Sequence, residues 1–131
     1  MAASVPFTNA EMCLDGVVRL EEDELILDFM KISAWGYKSA PVKIHIPLRH
    51  VDALEYKNYF FLFHVLLRLR VRNLDYLASV PGAHGAEVTL FCRRRYRGIA
   101  RELANLVTFR LLERAFTDDR SPVQPGSLPQ S

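Results

Sequence analysis

Apolar and polar residues alternate along most of the chain, and the alternation predicts strands. The clearest run is Leu67, Leu69 and Val71 against Arg68, Arg70 and Arg72, a strand apolar on one face and basic on the other. Val42, Ile44 and Ile46 alternate with Lys43 and His45 until Pro47 stops them. Leu25, Leu27 and Phe29 alternate with Ile26, Asp28 and Met30, following a strand over 9–20 in which Asp15-Gly16 predicts a bend or bulge. The acidic run Glu21-Glu22-Asp23-Glu24 is the turn between them. From Arg49 to Lys57 the inward positions Val51, Leu54 and Tyr56 slip phase after Val51, which predicts a bulge. Tyr59 to Leu67 is nearly all apolar, as in a strand covered on both faces or buried at an interface, with a kink or turn near His64. Val88, Leu90 and Cys92 mark the last strand.

After Cys92 the period changes from two residues to between three and four. Tyr96, Ile99, Ala100, Leu103, Leu106 and Val107 share one helical stripe, predicted to bury on the sheets. Arg110 and Arg114 then fall on that stripe. Ala104, Leu111, Leu112 and Ala115 collect on another face, with Phe109 and Phe116 farther round. The second half of the helix is therefore expected to leave its own domain and offer an apolar surface. The expected organisation is a flexible N-terminus over 1–8, one domain over 9–116 and a disordered, proline-containing tail over 117–131. The fold class is mainly β with one C-terminal helix.

Composition changes this picture little. Half of the 131 residues are hydrophobic, enough for one core. The longest apolar run is far short of the roughly 20 residues of a bilayer-spanning helix, and the start lacks a secretory pattern, so a cytoplasmic location is expected. Cys13 and Cys92 have neither metal nor redox spacing and read as reduced, buried thiols. His45, His50, His64 and His84 show no metal-ligand spacing, so no metal is expected. No cofactor-binding or catalytic signature is present, and the chain reads as a non-enzyme. Charge is uneven. Residues 1–56 hold five Lys/Arg against nine Asp/Glu, whereas 57–116 hold eleven against four. That asymmetry suits an acidic partner or self-association through opposite faces.

About seven strands followed by a single helix, with the hairpin GVVRLEEDELILDFMKI and the closing segment AEVTLFCRRRYRGIARELANLV, resemble the pleckstrin-homology-like superfold, including its bacterial and GRAM-like members. The resemblance implies a seven-stranded antiparallel bent sheet or barrel capped by the helix. It also implies a domain that binds lipids, peptides or proteins without catalysing a reaction. Lipid-binding members carry Lys and Arg around their first hairpin. The turn Glu21–Glu24 would repel a polyphosphate there, so phosphoinositide binding at that site is not expected.

Two surfaces carry the functional expectation. Arg68, Arg70 and Arg72 could share a sheet face with Arg93 and Arg95, with Glu87 neutralising one of them, and guanidinium forks suit carboxylates and phosphates. Few aromatic residues interleave with these cations, so nucleic acid is not expected. Phe109, Leu112 and Phe116 on the helix, or Phe60 to Phe63, are expected to dock a protein partner or a second copy as a homodimer. The alternative is an anion or cyclic-dinucleotide receptor. Arg93 and Arg97 fit the RxxxR element of PilZ domains, and Ser33 and Gly36 fit part of their D/N-x-S-x-x-G element. Lys31 stands where that element needs an acid or amide, however, and the two elements occur in reverse order.

Overall fold

The computed structural model describes residues 4–9, 13–61 and 64–120, apart from the side chains of 59–61 and 117–120. The chain is mainly β. Strands β1 (Ser4–Phe7), β2 (Leu14–Glu21), β3 (Glu24–Lys31) and β4 (Val42–Pro47) form one antiparallel sheet in that order. Strands β5 (Val51–Phe61), β6 (His64–Val71) and β7 (Glu87–Arg93) form a second, and helix α1 (Arg97–Arg120) follows. The two sheets do not join into a closed barrel. Among the described residues no ladder links β4 to β5, and the β1 and β7 edges are joined by one antiparallel bridge, Thr8 to Phe91.

Alternation explains the core. Val18 and Leu20 of β2, Leu25, Leu27 and Phe29 of β3, and Ile46 of β4 point inward from the first sheet. Val65, Leu67, Leu69 and Val71 of β6 and Val88, Leu90 and Cys92 of β7 do so from the second. The phase slip in β5 is a register shift between Val51 and Ala53 that leaves Asp52 unpaired in the ladder. The bulge keeps both Val51 and Leu54 buried. Leu77 and Val80, in the connection before β7, are also buried.

Four expectations need correction. Ser4–Phe7 is not a loose lead-in but strand β1, paired with β2 and burying Val5 and Phe7. Gly16 is not at a bulge. It pairs in regular register with Phe29 on one side and Phe7 on the other. A methyl group there would sit 2.7 Å from Phe29 Cβ and 2.9 Å from Phe7 Cζ, so two phenylalanines occupy the space that a side chain would need. The helix runs four residues beyond Phe116, to Arg120; residues 121–131 lie outside the described residues. Its buried stripe is also rotated. Ala100, Leu103, Ala104 and Val107 are buried and Leu111 packs against them, whereas Ile99 is exposed.

Two measurements check the core. Gly16→Ala should destabilise the fold by about 1–3 kcal/mol in chemical denaturation, the ordinary cost of overpacking. Burial pushes the Cys92 thiol up to about 12, while Cys13 is partly accessible. Ellman's reagent should therefore titrate Cys13 alone in the native protein and Cys92 only after unfolding.

Candidate functional site

The outer face of the second sheet carries Arg68 and Arg70 of β6, with Arg72 just beyond the strand, and each has an acid beside it. Arg68 Nε lies 3.3 Å from Glu87 Oε2, Arg70 Nη2 3.6 Å from Glu55 Oε2, and Arg72 Nε 3.2 Å from Asp52 Oδ1. Strand pairing causes this. Glu55 of β5 stands opposite Arg68, and Glu87 of β7 stands opposite Arg70. The Arg68–Glu87 contact is an ion pair without hydrogen-bond geometry, and that Nε is covered. The expected neutralisation by Glu87 is present, and it is one of three. Such a face attracts an anion weakly, because its positive charge is already spent on neighbouring carboxylates.

Arg93 and Arg95 are different. Arg93 ends β7 opposite His64, and Arg95 lies in the short 3-10 turn before α1, its guanidinium 4.9 Å from the Tyr96 ring centroid. Neither has an acidic partner among the described residues. Arg97, at the start of α1, donates to the Arg94 carbonyl at 3.3 Å. The six arginines therefore divide into a neutralised strip on β6 and an unpaired pair at the β7–α1 junction, with Arg97 apart.

The helix presents the second surface. Phe109, Leu112 and Phe116 are 57%, 54% and 66% exposed. Their spacing of three and four residues stacks them in a ridge along the solvent side, opposite Ala100, Leu103 and Val107. The second half of α1 does not leave the domain, as the sequence suggested. Leu111 stays packed on the core, and Arg110 Nη1 donates to the Glu22 carbonyl at 2.8 Å and lies 3.7 Å from Asp23. The apolar surface lies on the outer face of a seated helix. Phe60 to Phe63 lie outside the described side chains.

Comparison with protein-family models, curated proteins and solved structures returns no match. Among the described residues, no group of His, Cys, Asp or Glu is placed to hold a metal ion, and no helix is long and apolar enough to cross a membrane. The acidic turn belongs to the second hairpin, β2–β3, because β1 precedes it. Its repulsion of a polyphosphate thus does not bear on the first hairpin. Three of its four charges are engaged internally instead. Arg19 Nε donates to Glu21 at 2.6 Å and holds that carboxyl below its usual range, and His45 lies 3.0 Å from Glu24.

One surface was not legible in the sequence. Trp35 and Tyr37, in the β3–β4 loop, are 87% and 77% exposed. Ser33 organises the loop: its hydroxyl accepts from the Trp35 and Tyr37 amides, and Gly36 adopts φ +87°. In the sequence Gly36 and Pro41 mark a loop over Ser33 to Pro41, but its Trp35 suits a core cap and a surface equally.

The pairing on β6 has a measurable consequence. A double-mutant cycle on Arg70 and Glu55 should give a coupling below about 1 kcal/mol that shrinks with added salt, as for partly exposed ion pairs. A larger, salt-insensitive coupling would show that these charges are desolvated.

Proposed function

We propose that the chain is a non-catalytic binding or scaffold domain that associates with a protein, in the simplest case a second copy of itself, through the outer ridge of α1. We further propose that its two sheets and closing helix are a pleckstrin-homology-like arrangement. The order of elements supports that reading: four strands in one antiparallel sheet, three in the next, then a helix across both. The observation that carries the function is the ridge itself. Two phenylalanines and a leucine stand in water at helical spacing on a helix whose other face is fully used. Covering a large apolar side chain is worth about 1.5–3 kcal/mol, so three of them supply a substantial part of a weak interface. Phenylalanine is also enriched where protein surfaces meet. The β6 arginines are left out of the interface because acids already engage them.

Sedimentation velocity from micromolar to millimolar protein tests the self-association. The wild type should pass from monomer to dimer with concentration, and Phe109→Glu with Phe116→Glu should remain monomeric with an unchanged circular dichroism spectrum. Replacing Leu112 with a photo-crosslinking amino acid extends the test to other proteins. A chain that stays monomeric and gives no protein adduct through position 112 in cells overturns the reading.

A further inference from the structure

We infer that the cleft at the β1–β7 edge is a binding site for a small organic phosphate, held at the phosphate by Arg93 and Arg95 with His64 and at its apolar or planar body by Leu14, Ile32 and Phe91. The cleft encloses about 390 Å³ and is lined by all six of these residues, with Tyr96 and Asp15. That volume falls in the range of roughly 300–1,000 Å³ typical of small-molecule sites.

Charge selects the ligand. Arg68, Arg70 and Arg72 are matched by Glu87, Glu55 and Asp52. Arg93 and Arg95, which have no acidic partner among the described residues, are the ones that line the cleft. The one carboxylate in its wall, Asp15, is engaged by Lys38 Nζ at 3.3 Å. Two guanidinium charges are left, which a phosphomonoester dianion balances and a single carboxylate does not. The guanidinium fork matches phosphate oxygens in a bidentate way. The Tyr96 ring restrains Arg95 and leaves its N–H groups available. His64 adds a ring nitrogen beside Arg93, since the two residues pair across β6 and β7.

Shape selects the rest of the molecule. The lining combines cationic residues with apolar ones, so inorganic phosphate would use only part of it. Phe91, whose ring meets His64 edge-on at 5.9 Å, brings the two sets into contact. A phosphate ester with a flat or apolar body spans both. The site lies at the start of α1, whereas the apolar ridge begins at Phe109, roughly 18 Å farther along the helix at 1.5 Å per residue. The two surfaces can therefore fail or succeed independently.

Titration calorimetry and amide chemical-shift mapping of the full chain, with phenyl phosphate, adenosine monophosphate and inorganic phosphate as probes, test the site. Both esters should bind more tightly than inorganic phosphate, more weakly as salt rises, and should shift the amides of Phe91 to Tyr96 and of Leu14. Arg93→Ala and Arg95→Ala should each weaken ester binding about tenfold or more, the loss of one charge-assisted hydrogen bond, while Arg70→Ala leaves it unchanged. Arg93→Lys, which keeps the charge without the fork and has little reason to disturb folding, should give an intermediate loss. The inference is overturned if neither ester binds at millimolar concentration or if the shifts map elsewhere. It is equally overturned if the alanine variants bind as the wild type does, or if only phosphatidic acid vesicles bind.

Discussion

The seat of α1 is the constraint on which the other features depend. The helix lies against β1 and β2 of one sheet and β5, β6 and β7 of the other. It makes those contacts with Ala100, Leu103, Ala104 and Val107. Alanines one turn apart let the helix axis come close to both sheets, and Leu103 and Val107 fill the space between them. A helix seated this way has its contact face fixed within a few tens of degrees. Whatever apolar residues lie on the far side must then face water. The exposure of Phe109, Leu112 and Phe116 thus follows from where two alanines sit.

Arg110 continues the seat by other means. The apolar stripe runs out one turn after Val107, and the position becomes an arginine bonded to the tip of the β2–β3 hairpin. Three of the four acids of that tip therefore have structural work. One neutralises the helix arginine, one is held by Arg19, and one meets His45. A run of like charge that reads in sequence as a repulsive surface is, in three dimensions, the anchor for the second half of the helix.

Strand alternation made most of the fold legible, down to the bulge at Asp52, because a two-residue period needs no knowledge of neighbours. The failures all lie where a neighbour decides. Strand β1 is four residues containing a proline, and only its partner β2 gives it a place. Gly16 looks like a bend until Phe7 and Phe29 are seen to close on it. Ile99 and Ala104 are about equally eligible for the buried stripe by angle alone, and the close approach of the sheets favours the smaller residue. Of the candidate site, the ridge residues were legible as an apolar face, though the reason for their exposure was not.

Charge shows the same division most clearly. The excess of cations over 57–116 is real, but the acids that cancel it on β6 arrive from β5 and β7 through strand register. A linear count weights the seven arginines from Arg68 to Arg97 alike. Cross-strand acids take Arg68, Arg70 and Arg72 out of consideration, and the cleft is lined by Arg93, at the last rung of the β6–β7 ladder, and by Arg95 just beyond it. An unneutralised charge is costly to cover and cheap to leave wet, so it survives at the end of a ladder, beside the Thr8–Phe91 bridge where a cleft opens. The same geometry that ends the ladder thus places uncommitted guanidinium groups at the mouth of a small-molecule-sized space.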